Sequence, residues 1–423
     1  MSAISDCQRA GNRLTRRQIF SGVAYCSASA ALSARPRADE LYQKKSSQVI
    51  RMGIVGGNFG ASFFWHEHPN SRVTAVCDLR DDRLERLQKV YRCETGYKNY
   101  HEMVADKNVD AIGVFTPWNL HVDQAIEAMK AGKHIISAVP AGISIESCER
   151  LLYWVQKTGM TYMMAETSYY RPEIMACRRW AKEGQFGTIF YAEGEYYHDG
   201  IENLWYDERG EPTWRRARPP LWYITHATGC VIPVMGERLT EVVAHGYGDM
   251  EHPGVLGDGL RTNFYSNPFW NGIAMFKTSA GHAVRINVFR HVAAREAERA
   301  QFFGTEMSYY MAVPGLHPNS RNVREKTGKI RTIDNYPVTA IRSEPFEPAN
   351  FHEMLPPELR KPSGHGGSHT FLTHEFVSAC IERRRTEVDI YEALAYTVPG
   401  QYAHRSALEG GTLKKIKNYE RPA

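Results

Sequence analysis

Gly56, Asn58 and Ala61 stand at the three positions of a G-x-G-x-x-G/A turn, with Gly57, Phe59 and Gly60 between them. Glycine has no Cβ, so a turn of this composition lets the main chain press close to a ligand. Its N–H groups, with a helix starting behind them, suit a diphosphate. Asn58 departs from the usual glycine, although Asn tolerates left-handed backbone better than most residues. Asp78 ends the run VTAVCD, 22 residues after Gly56. A carboxylate there accepts from a ribose 2′-hydroxyl and repels a 2′-phosphate, so turn and acid predict a bound dinucleotide, NAD before NADP. Arg80 is close enough to bear on that preference.

Metal and thiol chemistry have no comparable signature. The eight cysteines (Cys7, Cys26, Cys77, Cys93, Cys148, Cys177, Cys230, Cys380) are scattered without a CxxC pair. That fits neither a zinc site nor a disulfide framework. Trp65–His68 (WHEH) lacks HExxH spacing and reads as the surface of the first helix, so no metal site is expected.

The elements that must carry the turn alternate. VIRMGIV, VTAVCD, VDAIGVFT, HIISAV and TYMMAE read as strands, and DDRLERLQKVYR, LHVDQAIEAMKAG and SIESCERLLYWVQKTG as helices. This predicts an α/β fold whose N-terminal part is a doubly wound parallel sheet. Beyond residue 168, a helix (RPEIMACRRWAKEG), strands TIFYAEGEYY, LTEVVAHGYG, GIAMFKTS and HAVRINVFR, two helices and a short TLKKI strand predict a second α/β domain with a mainly open antiparallel sheet. The segments HPNSRNVREKTGKIRT and EPFEPANFHEMLPPELRKPSGHGG read as surface excursions.

The formal net charge of +5 is local. Residues 1–38 hold six arginines and one aspartate, and the remainder carries 46 basic and 46 acidic residues. A balanced body argues against a nucleic-acid or anionic-membrane partner. Arg16–Arg17 in TRRQIF, ahead of the weakly apolar IFSGVAYCSASAALSA, resemble a twin-arginine export signal. The expected organisation is an export signal at 1–38, a linker at 39–47, a dinucleotide domain at 48–168 and a substrate domain at 169–423. After signal removal no membrane insertion is expected; without a functional signal the chain would stay in the cytoplasm.

The stretch VFTPWNLHVDQAIEAMKAGKHIISAVP, with Thr116-Pro117, Asn119, His121 and Gly132-Lys133-His134, resembles the signature of the Gfo/Idh/MocA oxidoreductases. Two of that family's substrate-side groups are replaced: Val139 stands at its lysine and Trp222 at its aspartate, while His226 keeps the histidine. More closely, VPAG (Val139–Gly142), MMAETSYY (Met163–Tyr170), YYHDG (Tyr196–Gly200), YITH (Tyr223–His226) and GHGG (Gly364–Gly367) occur in the order found in NAD-dependent glycoside hydrolases of alpha-N-acetylgalactosaminidase type. Ala138 and Ile224 depart from that group's glutamate and proline.

The resemblance implies NAD contacts from Gly56, Gly57, Asn58, Phe59, Gly60, Asp78, Arg80, Thr116, Pro117, Asn119 and His121, and a homo-oligomer acting on a small carbohydrate. Glu166 either touches the cofactor or caps a turn. His226 and Tyr170 are the expected catalytic residues, with neighbouring Tyr169 the alternative to Tyr170. His198 and Asp199 orient sugar hydroxyls or build a turn; Tyr223 and His365 are expected at the substrate. Three activities fit: a redox-neutral glycosidase-like cycle, an ordinary sugar dehydrogenase, and a non-catalytic sugar binder.

Overall fold

The computed structural model describes residues 46–248, 263–294, 297–313, 316–326, 330–334 and 336–421. The export-signal segment and most of the linker lie outside them. All described residues belong to one compact unit, Ala34–Ala423.

The first sheet contains β1 (Ile50–Val55), β2 (Ser71–Cys77), β3 (Gly96–Tyr97), β4 (Ala111–Val114), β5 (His134–Ser137) and β6 (Tyr162–Met164). Their order is β3-β2-β1-β4-β5-β6, all parallel. The order reverses between β1 and β4, the place where open α/β sheets take ligands at their carboxyl edge. β4 and β6 are fully buried, which explains their unbroken apolar sequence. Helices α1 (Asp81–Tyr91), α2 (Tyr100–Ala105), α3 (His121–Lys130) and α4 (Ile145–Thr158) connect the strands. Ser144 caps α4 in a reciprocal pair with Ser147, and Gly159 ends it in left-handed backbone.

After the glycine turn the expected helix is missing. Only a four-residue 3₁₀ turn, Phe59–Ser62, forms before β2. The segment Phe63–Asn70 (FFWHEHPN) reaches Pro69 within two turns, and a proline there removes an N–H and clashes with the preceding turn, so a helix cannot run through it. A later helix covers β1 instead. This is α7 (Gly364–Glu382), which follows α5 (Pro172–Lys182) and α6 (Thr225–Met235) and precedes α8 (Ile390–Leu408). His369 of α7 stacks on Phe63, Phe376 meets Trp65 edge-on, and His374 hydrogen-bonds His68 at 3.0 Å. WHEH is therefore largely interior: Trp65 and His68 are buried.

The second sheet has nine strands in the order β16-β13-β12-β11-β7-β10-β9-β8-β17. They are β7 (Ile189–Tyr197), β8 (Leu239–Tyr247), β9 (Asn271–Thr278), β10 (Ala283–Phe289), β11 (Ala297–Gly304), β12 (Met307–Tyr310), β13 (Ser320–Arg324), β16 (Ile341–Pro345) and β17 (Lys414–Lys415), with β14 (Ile330–Ile333) and β15 (Tyr336–Thr339) forming a separate hairpin. Only the β7–β10 pair is parallel. Both expected excursions are more ordered than their composition suggests. The first supplies β13 and β14, and the second buries Phe351, Leu355 and Leu359. The six described cysteines are free and buried. No helix among the described residues is long and apolar enough to cross a membrane.

Candidate active site

Gly56 adopts φ +100°, and a Cβ there would meet the Phe115 carbonyl oxygen at 2.4 Å. A Cβ on Gly57 would meet the Arg83 carbonyl oxygen, also at 2.4 Å. Asn58 is not left-handed (φ −89°), so Gly56 alone makes the reversal that was expected to involve it. Asp78 is buried, accepting from the Gly57 N–H at 2.6 Å and the Arg80 N–H at 2.9 Å. Turn and carboxylate thus form one unit at the carboxyl edge of β1 and β2. This fits the ribose end of NAD, with one departure: no helix N-terminus of useful length stands behind the turn. Arg80 turns outward to Asp82 at 2.9 Å. The Phe59 ring lies against Phe115, His365 and His369.

Thr116 donates to Gln124 at 2.5 Å, and Pro117 and Asn119 form the turn before α3. His121 is buried between the carbonyls of Thr116 (2.9 Å) and Pro140 (3.1 Å), clasping the ends of β4 and β5. Trp118, between Pro117 and Asn119, links this edge to the second sheet. Its indole donates to the Tyr265 hydroxyl at 2.7 Å and lies among Trp214, Trp222 and Tyr223.

Glu166 takes the second of its two expected roles, capping the turn, and adds a contact to His226. Its Oε1 caps the turn by accepting from the Ser168 N–H (2.9 Å) and holds His226 Nδ1 at 2.8 Å. Its Oε2 is buried without a partner among the described residues, which leaves an acceptor for a bound group. Gly229, one turn along α6 from His226, makes this fit possible, since a Cβ there would meet Glu166 Cγ at 2.6 Å.

Glu298 closes the cluster. It accepts from Arg171 through two nitrogens (2.9 and 2.6 Å) and lies 3.9 Å from His226 Nδ1. Strand register delivers it: Glu298 on β11 pairs with Tyr196 on β7. Burial opposes charge on His226, but Glu166 and Glu298 outweigh it and raise its pKa to about 10. Burial likewise opposes the Glu298 carboxylate, and Arg171 and His226 overcome it, holding its pKa at about 2. Glu166, His226 and Glu298 are also the one group among the described residues spaced to surround a metal ion. Such an ion would compete with the imidazolium and with Arg171.

Tyr223 and Tyr196 flank His226, with ring centroids 5.2 and 4.7 Å away. Burial works against ionisation of Tyr223, but the positive charges of His226, Arg218 and Arg290 prevail and lower its pKa. Tyr196 moves the other way, burial raising its pKa. His226 can therefore donate from Nε2 as a cation, while Tyr223 ionises more readily than a free tyrosine.

The other expected residues divide. His365, left-handed at φ 52°, bonds His369 at 2.9 Å; burial lowers its pKa and His226 adds to the effect, which places it near the cluster. Tyr170 does not join it. Its ring stacks on Phe371, its buried hydroxyl has no partner among the described residues, and burial, then Glu375, raises its pKa well above the usual value. Tyr169 donates to Glu387 at 2.6 Å beneath Arg178, so it is committed elsewhere too. Asp199 is exposed and accepts from the Val292 N–H at 2.7 Å, a turn-building role. His198 follows β7, its ring 6.1 Å from Tyr196. Ser168, Arg171, Arg218, Arg290 and Glu298 were not anticipated. Among them Ser168 lies inside MMAETSYY and Arg171 directly follows it, while the other three stand outside the motifs.

Residues 50–166 match the family model described as oxidoreductase family, NAD-binding Rossmann fold (GFO_IDH_MocA). The chain is 24% identical over 411 residues to a glycosyl hydrolase family 109 protein of Solibacter usitatus, covering 89% of this chain and 90% of the relative. It is 27% identical over 229 residues to an alpha-N-acetylgalactosaminidase of Bacteroides fragilis, 46% and 51% of the two chains. Levoglucosan dehydrogenase, solved with NADH and levoglucosan, superposes with a TM-score of 0.69 at 18% identity over 87% of this chain and 100% of that one, a likeness of fold.

Proposed function

For a chain that belongs to the Gfo/Idh/MocA oxidoreductases and uses NAD, we propose a redox-neutral cleavage of a glycoside: oxidation, elimination, addition of water and reduction on one enzyme. NAD at the glycine turn supplies a hydride acceptor that can give back what it takes. Gly56, Gly57 and Asp78 would hold it, with Thr116, Pro117 and Asn119 lining the next strand end.

The observation that carries this reading is the pair formed by His226 and Tyr223. As hydride leaves the carbon being oxidised, its hydroxyl proton passes to Glu166 Oε2, the buried acceptor without a partner among the described residues, and returns from it in the reduction. His226, fixed as an imidazolium by Glu166 and Glu298, donates to the same oxygen and stabilises the negative charge that forms there when the adjacent carbon loses its proton. It supplies the positive charge that Val139 cannot. Tyr223 takes the proton from the adjacent carbon as the C1 substituent departs, and returns it when water has added. No net oxidant is consumed, which suits an enzyme exported away from the cytoplasmic NAD pool, the route suggested by Arg16–Arg17. The names of the family 109 relatives support glycoside cleavage. A second copy of the chain is proposed to cover the outer face of the large sheet, where Phe190, Ile273 and Met275 are about half exposed.

The full-length protein, purified without added cofactor, is expected to carry a dinucleotide. With C2-deuterated aryl glycosides, aglycone release should be accompanied by loss of deuterium to water and no accumulation of NADH. Release with the label retained overturns the cycle, and steady NADH formation assigns an ordinary dehydrogenase.

A further inference from the structure

Two deeply buried cations help to lower the pKa of Tyr223, yet nothing in this scheme pairs their own charge. Arg218 and Arg290 are 7% and 3% exposed. Among the described residues neither forms an ion pair; all three guanidinium nitrogens of Arg290, and Nε of Arg218, are buried without a hydrogen-bond partner. Comparably placed arginines elsewhere are neutralised: Arg171 by Glu298 and Arg321 by Glu344.

The unpaired two meet aromatic side chains. Arg290 lies 4.9 Å from the Tyr196 ring and 5.0 Å from Tyr223, and Arg218 lies 4.1 Å from Tyr223. Cation–π contact recovers part of the lost hydration, not all of it. An uncompensated buried charge is otherwise among the costliest features a fold can keep. Burial and mutual repulsion depress Arg290 to about 10. Together with Arg215, and walled by Trp205 and Trp270, the two arginines line a cavity of about 10 Å³. That is room for one oxygen-sized atom and too little for a sugar ring.

We propose that Arg218 and Arg290 form an oxyanion-binding subsite, and that the sugar turned over beside His226 carries an acidic substituent: a carboxylate, sulfate ester or phosphate ester. The inference rests on the sugar site proposed above and specifies its substrate class. The substrate is favoured over the cofactor because both guanidinium groups stack on the tyrosines that flank His226, and Arg290 follows β10 of the second sheet. Arg215 is set apart, being also repelled by Arg83 beside the glycine turn.

The test uses full-length protein with its dinucleotide bound, and titrates matched pairs by calorimetry: galactose with galacturonate, glucose with glucuronate, and N-acetylgalactosamine with its 6-sulfate and 6-phosphate. At least one acidic member should bind about tenfold or more tighter than its neutral partner; which acid wins identifies the substituent. Arg290→Gln and Arg218→Gln should each abolish that difference, and Arg290→Lys should retain part of it. Ligand-free Arg290→Gln should melt no lower than the parent, since a burden is removed, and should keep its dinucleotide. Equal binding of acidic and neutral members, no binding, or a preference surviving both substitutions overturns the subsite. Loss of dinucleotide from the variants also overturns it, by assigning the arginines to the cofactor diphosphate. Acidic sugars that bind but undergo neither C2 exchange nor cleavage would refute the proposed function and leave the subsite standing.

Discussion

His226 keeps its proton because two carboxylates surround it, and Tyr223 loses its own more readily because three cations do. Acid and base are thus assigned by their neighbours, the reverse of what isolated side chains would give. Tyr223→Phe should lower both C2 exchange and aglycone release about 10²–10⁴-fold. Tyr170→Phe should leave exchange within a few-fold, because that ring is stacked on Phe371 and a phenylalanine keeps the contact. The pH profile of kcat/KM should rise as Tyr223 ionises and fall as His226 deprotonates at about 10. His226 itself should add no inflection near the ordinary histidine value. At this scale the short motifs led to Glu166, Tyr223 and His226. They misled at Tyr170, because a motif gives a residue's position in the chain and not the side of the turn on which its hydroxyl emerges. Glu298 was illegible: it lies in the charged run AREAERA, and only pairing with Tyr196 selects it.

Elements set the cluster's tolerance to pH. Glu298 is lowered to about 2 in the fold, against about 4.3 in an unfolded chain. Its contribution is therefore present above about pH 4.3 and lost as pH falls toward 2. His226 is raised to about 10, so its contribution is complete below about pH 6.5 and lost as pH rises toward 10. Both hold fully only between those limits. Glu298→Gln leaves Arg171 and His226 short of a buried counter-charge and should cost about 3–5 kcal/mol near pH 5.5. Urea unfolding of parent and variant should show that gap closing below pH 3; a gap constant with pH would mean the loss is one of packing alone. The α/β alternation was readable because strands buried on both faces leave unbroken apolar runs. The helix after the glycine turn was over-read because the turn's pattern is local, whereas a helix also needs an uninterrupted run, and Pro69 ends this one. Strands β11 to β13 and β16 escaped notice because their alternation is broken by the charged partners of neighbouring strands, such as Arg299 with Glu195.

Across the whole molecule the two sheets share their covering helices: α8 packs on β8 of the second sheet and on β6 and α4 of the first. The glycine turn likewise depends on α7, whose His365 and His369 press on Phe59 where the chain's own early segment supplies no helix. The nucleotide seat is therefore joined from opposite ends of the polypeptide. Ribosome-stalled chains halted before Ser363 should retain no dinucleotide on a sizing column, whereas completed chains should. Loading would then act as a certificate of finished synthesis.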